Sequence, residues 1–332
     1  MKYVLGIDQG GTKTAALVCD LNGNIVGIGY EDGLASVYFD DAEGLYIKRI
    51  VSAAQNACTM AGIQLKDVAA VCGGLSGADW DFEYPILRER LYNGLHIEDS
   101  IVLNDCIPAM RGGSAAKACA VICAGSGLNV ALQRADGSQL IYGYYIDDAH
   151  QGAGALGTRA MRKVMEAHLG ICGPTLLTEL ILSHTGYHSE EALMIAVTMG
   201  KHKLETKTLA PLLLKAYSAK DKEATIVAEE FAAGIAQYIT AGMQRLQMCN
   251  DMLEIVFSGG VFKGHGALLA DKIFDCIAKQ EPHVRKVHAK YEPVCGAALT
   301  LLDREYSGAL PEAVASAFDE SAKAHKLLRS LH

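Results

Sequence analysis

The sequence lacks the features of several large protein classes. Its longest apolar run, Ala118–Ala124, is far shorter than the ~20 residues that a membrane-spanning helix needs. The apolar run at the N-terminus ends at Asp8, which is too early for a signal peptide. The ten cysteines form no Cys-x-x-Cys pair, so we expect reduced, mostly buried thiols, with a metal or cluster site as the alternative. Together these absences predict a cytoplasmic protein without a membrane segment.

Several familiar catalytic motifs are also missing. The chain contains no Gly-x-Ser-x-Gly, no Walker lysine loop, no His-Glu-x-x-His, and no Gly-x-Gly-x-x-Gly after the first predicted strand. The formal net charge of −8 argues against nucleic acid as a partner, because such binding needs clustered positive charge. What remains is a chain of ordinary globular composition whose 332 residues are enough for two domains.

Two halves of the chain begin with the same pattern. A strand, a glycine-rich turn and a second strand are predicted within Tyr3–Asp20 and again within Ala118–Arg134, about 115 residues later. A hairpin signal follows each block, Asn22-Gly23 in the first half and Asp136-Gly137 in the second, and a third strand comes after it. The repeat predicts two related lobes, each with a phosphate loop, that hold a nucleotide between them.

Helical patterns fill much of the remaining sequence. Apolar residues at helical spacing predict a helix at Asp41–Ala61, after the first three strands. We therefore expect an α/β fold with one lobe at residues 1–113 and another at 114–332. A mostly helical insertion is expected at about 174–248, and the last amphipathic helix, at 311–330, could return to the first lobe.

The turn after the first strand, Asp8-Gln9-Gly10-Gly11-Thr12-Lys13-Thr14, is a candidate phosphate loop. Its glycines let backbone N–H groups approach an anion closely, and its hydroxyl and lysine side chains add donors and positive charge. Asp8 stands at the end of the strand, where a carboxylate could orient hydrated Mg²⁺. A plain hairpin with a surface aspartate is the alternative.

Two more glycine motifs follow predicted strands in the second half. Gly125-Ser126-Gly127 echoes the first loop and is a second candidate for phosphate binding. Gly259-Gly260 follows an apolar strand directly, so a flat ligand such as adenine could lie against its backbone. The alternative for this last motif is a tight connection between a strand and a helix.

Asp105 is the candidate for proton transfer. It follows the buried strand Ile101–Leu103 at the start of a helix, and so projects from the carboxyl edge of a sheet, where open α/β sheets place ligands. A carboxylate there could accept a proton from a sugar hydroxyl as the hydroxyl attacks a γ-phosphoryl group. The alternative is that Asp105 acts only as the N-cap of the helix.

Two loops carry further polar residues. In Gly73–Asp79, the Ser76 hydroxyl could bond a sugar hydroxyl, whereas Asp79 is expected only to decorate the loop. In Asp147–Gly152, the two aspartates are interpreted as solvated charges. His150 lies next to a glycine-rich helix start and is the better candidate for a ligand contact.

Taken in order, these motifs resemble the actin-like ATPase superfamily, which includes sugar kinases and actin. Within it, the chain is most similar to the N-acetylglucosamine kinase group of the BadF/BadG/BcrA/BcrD ATPase family, over about residues 3–165 and 253–302. The segments that carry the resemblance are DQGGTKT, GGLSG, LND, CAGSGLN, YGYYIDDAHQG, FSGGVFKG and EPVCGAAL. The resemblance implies a two-lobed, ribonuclease H-like fold in which duplicated mixed sheets are flanked by helices, with an interlobe cleft.

The resemblance also implies roles for single residues. Asp105 corresponds to the catalytic base and Asp8 to the acid that orients Mg²⁺, with ATP as the nucleotide. The implied nucleotide-binding residues are Gly10, Gly11, Thr12, Lys13, Gly125, Ser126, Gly127, Gly259, Gly260 and Lys263. The implied substrate-binding residues are Ser76, Asn104, Asp105, Asn129, Tyr144 and His150.

The chain departs from the family pattern in its sugar motifs. Tyr144-Tyr145 stands where the family usually has Gly-Trp-Gly, and His150 and Gln151 replace two acids. The asparagine usual after the third strand is also absent from the region of Ser36 and Tyr38. Losing acids removes repulsion of an anionic substrate. The sequence is therefore compatible with an N-acetylmuramate-like sugar and equally with a neutral amino sugar.

The sequence therefore predicts a cytoplasmic, homodimeric kinase that transfers the γ-phosphoryl group of ATP to a hydroxyl of a small sugar or amino sugar. One alternative is an ATPase that activates a CoA-ester dehydratase or reductase. Such proteins hold an iron–sulfur cluster between subunits, and Cys123 and Cys172 have the only spacing worth considering for it. A non-catalytic sugar sensor on the same fold is the other alternative.

Overall fold

The computed structural model of the protein describes residues 2–32, 44–249 and 252–329. The expectations about Ser36 and Tyr38, and about the helix start at Asp41, lie outside these ranges. No helix within them is long and apolar enough to cross a membrane.

The strands of the described residues form two five-stranded sheets with one shared connectivity. The strands are β1 (Tyr3–Gln9), β2 (Lys13–Asp20), β3 (Ile25–Asp32), β4 (Val68–Leu75), β5 (Ser100–Asn104), β6 (Cys119–Ala124), β7 (Leu128–Gln133), β8 (Gln139–Ile141), β9 (Leu253–Ser258) and β10 (Val284–His288). Their order is β3-β2-β1-β4-β5 in one sheet and β8-β7-β6-β9-β10 in the other. The predicted duplication of the sheets is thereby confirmed.

Helices account for most of the remaining described residues. They are α1 (Leu45–Ala61), α2 (Glu83–Leu95), α3 (Cys106–Gly113), α4 (Gly152–His168), α5 (Leu176–Thr185), α6 (Glu190–Thr198), α7 (Ala210–Ser218), α8 (Lys222–Arg245), α9 (Ala267–Ala278), α10 (Pro293–Glu305) and α11 (Glu312–Ala324). The stretch expected to be helical at 174–248 contains α5 to α8. The last helix ends at Ala324, earlier than expected, because the chain beyond it forms a β-bridge between Leu328 and Tyr291.

The described residues divide into two compact units, 2–121 with 287–329, and 122–286. Both α10 and α11 belong to the first unit. Arg111 of α3 fixes α10 there, because its guanidinium donates to both carboxylate oxygens of Asp303 at 2.5 and 3.0 Å. The assignment of 1–113 and 114–332 as ATPase lobes stays a prediction.

The sheet of the first unit is covered by helices on both faces. Alternate residues of β2 point to opposite sides, as strand geometry requires. Ala16 and Val18 pack with α1 and α2 on one side. On the other side, Leu17 and Cys19 pack with α10 and α11. The sheet is thus buried on both faces, and its polar side chains lie at its edges.

The register of the sheet brings three strand ends together. β4 runs parallel to β1, with Asp8 opposite Gly74. β5 runs parallel to β4, with Leu75 opposite Asn104. The carboxyl ends of β1, β4 and β5 therefore meet at one edge, and the residues that follow these strands lie close to one another.

Helix α1 lies unusually close to β3, and a glycine permits this approach. A Cβ atom added to Gly29 would lie 2.0 Å from the carbonyl oxygen of Ala53 and 2.6 Å from the nitrogen of Ala57. Both atoms belong to the helix backbone, which cannot move aside as a flexible side chain would. The close contact between α1 and β3 therefore depends on the absence of a side chain at position 29.

We predict that Gly29→Ala destabilises the protein by about 1–3 kcal/mol, because overpacking forces α1 away from the sheet. Urea unfolding followed by circular dichroism would measure the change. Gly173→Ala is the matched control, since a Cβ there meets no described atom within 4 Å. Equal stability of the two variants would contradict the packing argument.

Candidate active site

Three aspartates of the first unit follow the strand ends that meet at one sheet edge. Asp8 is on β1, Asp79 is in the loop after β4, and Asp105 comes directly after β5. Each is only partly accessible to solvent. Sheet topology thus gathers carboxylates that are far apart in the sequence.

Crowding and burial change the acidity of these groups. Burial raises the pKa of Asp105 to about 7, and the charges of Asp8 and Asp79 act in the same direction. Burial also raises the pKa of Asp8 to about 6, against the opposing effect of the cations Lys13 and Arg329. The pKa of Asp79 is raised to about 6, again chiefly by burial. A carboxyl group with a pKa near neutrality can accept a proton and release it again at physiological pH.

Asp105 stands at the N-cap position of α3, but its side chain makes no capping hydrogen bond with the described residues. The carboxamide oxygen of Asn104 instead accepts from the amide of Cys106 at 3.0 Å. Hydrogen bonds from the backbone at Cys106 and at Asp105 itself lower the pKa of the Asp105 carboxyl, against the larger effect of burial. The role of Asp105 as a base, rather than as a helix cap, stays a prediction.

Asn104 itself is almost fully buried, with 1% of its surface exposed. Its side-chain nitrogen donates to the carbonyl of Ala78 at 3.2 Å and to the carboxylate of Asp79 at 2.6 Å. The amide is thus engaged inside the protein, and a direct contact of Asn104 with substrate stays a prediction. Asp79, expected only to decorate its loop, accepts this bond from Asn104.

Hydrogen bonds fix the backbone of Ser76 but not its side-chain hydroxyl. Its amide donates to the carbonyl of Gln9 at 2.9 Å, and its carbonyl accepts from the Tyr46 hydroxyl at 3.0 Å. The Ser76 hydroxyl oxygen is buried and has no hydrogen-bond partner among the described residues. Since a buried hydroxyl without a partner is costly, this geometry suits a ligand that supplies one.

The first glycine loop connects β1 to β2 and leaves its backbone open. The amide of Gly10 donates to the carbonyl of Lys13 at 3.1 Å, which closes a tight turn. Gly11, Thr12 and Lys13 are exposed, and a Cβ on Gly11 would meet no described atom within 4 Å. A phosphate could therefore reach this backbone, as predicted from the glycines, and the binding itself stays a prediction.

Mg²⁺ is a hard cation that prefers carboxylate oxygens. Asp8 fits it, because this desolvated carboxylate lies beside further acids and its negative charge is poorly solvated. No group of three or more metal-ligating side chains occurs in the described ranges. Asp8 would thus hold the ion together with ligands from outside the protein.

The second unit carries the second glycine loop between β6 and β7. The amide of Ala153 donates to the carbonyl of Gly125 at 2.9 Å, which ties the loop to the start of α4. Gln151 supports the other side: its side chain accepts from the amide of Leu128 at 3.2 Å and donates to the carbonyl of Ile146 at 3.0 Å. Sequence reasoning treated Gln151 as a lost acid and missed this supporting role.

The predicted adenosine motif lies beside this loop. Gly259 has a φ of 108°, and a Cβ there would lie 2.1 Å from the carbonyl oxygen of Ala124, at the end of β6. Gly260 and Lys263 are exposed. Within the second unit, the structure therefore brings the two predicted nucleotide motifs together, although their contacts with ATP stay predictions.

The predicted sugar contacts of the second unit have other partners. Nδ1 of His150 lies 2.8 Å from the Asp147 carboxylate, and the opposite edge of the ring packs against Gly234 of α8. The carboxamide oxygen of Asn129 accepts from the amide of Gly143 at 2.9 Å. Tyr144 is 54% exposed. Their substrate contacts stay predictions.

The cysteines are mostly buried, as predicted from the sequence. All ten are free thiols, and six of them are buried. The thiol of Cys172 approaches the carbonyl of Lys163 at 3.8 Å.

We predict that Asp105→Asn raises the melting temperature of the ligand-free protein more at pH 8 than at pH 5. The raised pKa means that the folded state holds this proton more tightly than the unfolded state. Ionisation of Asp105 therefore removes stability as the pH rises from about 4 to above 7, and an asparagine cannot ionise. Thermal unfolding at both pH values measures the effect.

The control is Asp81→Asn, at an exposed position just before α2, which should change the melting temperature equally at the two pH values. An Asp105→Asn variant with no additional stability at pH 8 would contradict the assigned burial.

Known proteins resemble this chain over most of its length. The model of the BadF/BadG/BcrA/BcrD ATPase family matches residues 5–300. The N-acetylmuramic acid/N-acetylglucosamine kinase of Clostridium acetobutylicum is 23% identical over 304 residues, which cover 90% of this chain and 98% of that protein.

Solved structures share the fold. A Chromobacterium violaceum protein assigned as an N-acetylglucosamine kinase matches with a TM-score of 0.66 and 21% identity, over 91% of this chain and 99% of that one. A ROK family glucokinase from Streptomyces griseus, in complex with glucose and AMPPNP, matches with a TM-score of 0.60 and 18% identity. The match covers 89% of this chain and 97% of that one. The predicted actin-like ATPase fold class is confirmed. Because the family model spans most of the chain, the protein belongs to the BadF/BadG/BcrA/BcrD ATPase family.

Proposed function

We propose that the protein is an ATP-dependent kinase that phosphorylates a hydroxyl of an amino sugar of the N-acetylglucosamine or N-acetylmuramate type. The observation that carries the proposal is the state of Asp105: a desolvated carboxylate at the start of α3, at the carboxyl edge of the first sheet. The names and coverage of the relatives support an amino sugar as the acceptor.

In the proposed reaction, Asp105 accepts the proton of the attacking sugar hydroxyl. The sugar oxygen forms a bond to the γ-phosphorus of ATP, the bond from that phosphorus to the β–γ bridging oxygen breaks, and ADP leaves. A pKa of about 7 suits Asp105 to this task, because a general base works best near the pH at which it operates. The Ser76 hydroxyl, which has no hydrogen-bond partner among the described residues, would orient the sugar.

The glycine loops would bind the triphosphate through their backbone amides. Gly10, Gly11, Thr12 and Lys13 do so in the first unit, and Gly125–Gly127 in the second. When bound at Asp8, Mg²⁺ would neutralise charge on the phosphate oxygens.

Three further parts of the proposal rest on the family resemblance. They are dependence on Mg²⁺, a homodimeric state and a cytoplasmic location.

The choice between a neutral and an acidic sugar depends on the charge near the substrate. His150 replaces an acid, but it pairs with Asp147, which supplies a carboxylate at the same place. Both sugar classes therefore belong in the test.

We predict that Asp105→Asn lowers the kcat of sugar phosphorylation by about 10²–10⁴-fold, the usual contribution of a general base, with ATP affinity retained. The assay is ADP release from MgATP with a panel of neutral, amino and acidic sugars, and calorimetry measures ATP binding. Asp81→Asn should behave as the wild type. If Asp105→Asn lost ATP binding, or retained full turnover, the role of Asp105 would be wrong.

We predict that Ser76→Ala raises the KM for the sugar several-fold, as expected for the loss of one neutral hydrogen bond. The ligand-free protein should be at least as stable as the wild type, because the removed hydroxyl has no partner among the described residues. Steady-state kinetics and thermal unfolding test the two parts. A large loss of stability with unchanged KM would assign Ser76 a structural role instead.

A further inference from the structure

Asp79 is the least expected member of the acidic edge. It lies in the loop after β4, and its carboxylate accepts from the Asn104 side chain at 2.6 Å, a short, charge-assisted hydrogen bond. The same side-chain nitrogen of Asn104 also donates to the Ala78 carbonyl. The two bonds together fix the orientation of the Asn104 side-chain amide. Its nitrogen faces the loop after β4, and its oxygen faces α3.

The fixed orientation has a direct consequence for α3. With its oxygen towards the helix, Asn104 accepts from the amide of Cys106. Cys106 is the first residue of α3 and directly follows Asp105. The bond from Asn104 therefore fixes the backbone next to Asp105.

Asp79 is itself held in place from the opposite side. Glu83, in the first turn of α2 and with none of its surface exposed, accepts from the amides of Asp79 and Trp80 at 2.8 Å each. A continuous chain of hydrogen bonds thus runs from Glu83 through Asp79 and Asn104 to the amide of Cys106. It joins the start of α2 to the start of α3.

We propose that Asp79 is a positioning residue: it holds the Asn104 amide against the first residue of α3, and so keeps the Asp105 carboxylate in its place for the reaction. This inference rests on the proposed function, since it gives Asp105 the role of the base. It extends that function by assigning Asp79 and Asn104 to one unit that acts through Asp105.

A double-mutant cycle on turnover tests the inference. Asp79→Ala and Asn104→Ala should each lower kcat by about ten- to hundredfold, the effect of losing a hydrogen bond to a charged group. The KM for ATP should stay within about twofold. The kcat of the double variant should be no lower than that of the poorer single variant, because both changes break the same chain of hydrogen bonds.

Two further variants separate positioning from general damage. Asp79→Asn keeps an oxygen that can accept from Asn104 and should restore most of the turnover lost in Asp79→Ala. Asp81→Asn, at an exposed position in the same loop, should leave kcat unchanged. Losses of kcat that add in the double variant would overturn the inference. So would an Asp79→Asn variant that unfolds at the wild-type temperature but recovers no turnover.

A crystal structure of the Asp79→Ala variant decides the matter independently of activity. The expected result is a rotated Asn104 amide and an Asp105 carboxylate displaced from its wild-type position. Unchanged Asn104 and Asp105 side chains would overturn the inference. If the wild type phosphorylated no sugar in the panel, the proposed function would fail, and this structure would still test the positioning by Asp79.

Discussion

The structure of the first unit depends on one electrostatic constraint, the gathering of Asp8, Asp79 and Asp105 at a single sheet edge. Burial raises the pKa of each of these carboxyl groups, and for Asp105 the charges of Asp8 and Asp79 act in the same direction, so each holds its proton at higher pH than usual. Such a cluster costs stability in the ligand-free protein. It is understandable where a cation and an attacking hydroxyl are to be bound, because both relieve the crowding of negative charge.

The neighbouring structure keeps this cluster in a usable form. The sheet is buried on both faces, so the strand ends that carry the aspartates have little freedom to separate. The backbone bonds of Ser76 and the engaged amide of Asn104 fix two groups around Asp105. In the second unit, Gln151 supports the glycine loop in a comparable way. Rigid polar supports around a site lower the cost of ordering the reacting groups.

Much of this could be predicted from the sequence, because the signals were local. Turn glycines and hairpin pairs identified the duplicated strand blocks, and the position of Asp105 after a buried strand placed it at the sheet edge. The sequence could not reveal the role of Asp79, since its bond to Asn104 joins residues 25 positions apart. The bond from the Leu128 amide to Gln151 and the packing of His150 against Gly234 of α8 could not be predicted for the same reason. The packing of α10 on the sheet of the first unit joins Leu17 and Cys19 to residues of α10 that are far away in the sequence, so local signals could not predict it.

The most direct test of the account is a crystal structure of the protein with an amino sugar and a non-hydrolysable ATP analogue. The account predicts that an oxygen of Asp105 lies about 3 Å from the sugar hydroxyl that faces the γ-phosphate, within hydrogen-bond reach. A carboxylate about 10 Å or more from both the hydroxyl and the γ-phosphorus could not accept the proton and would contradict the account.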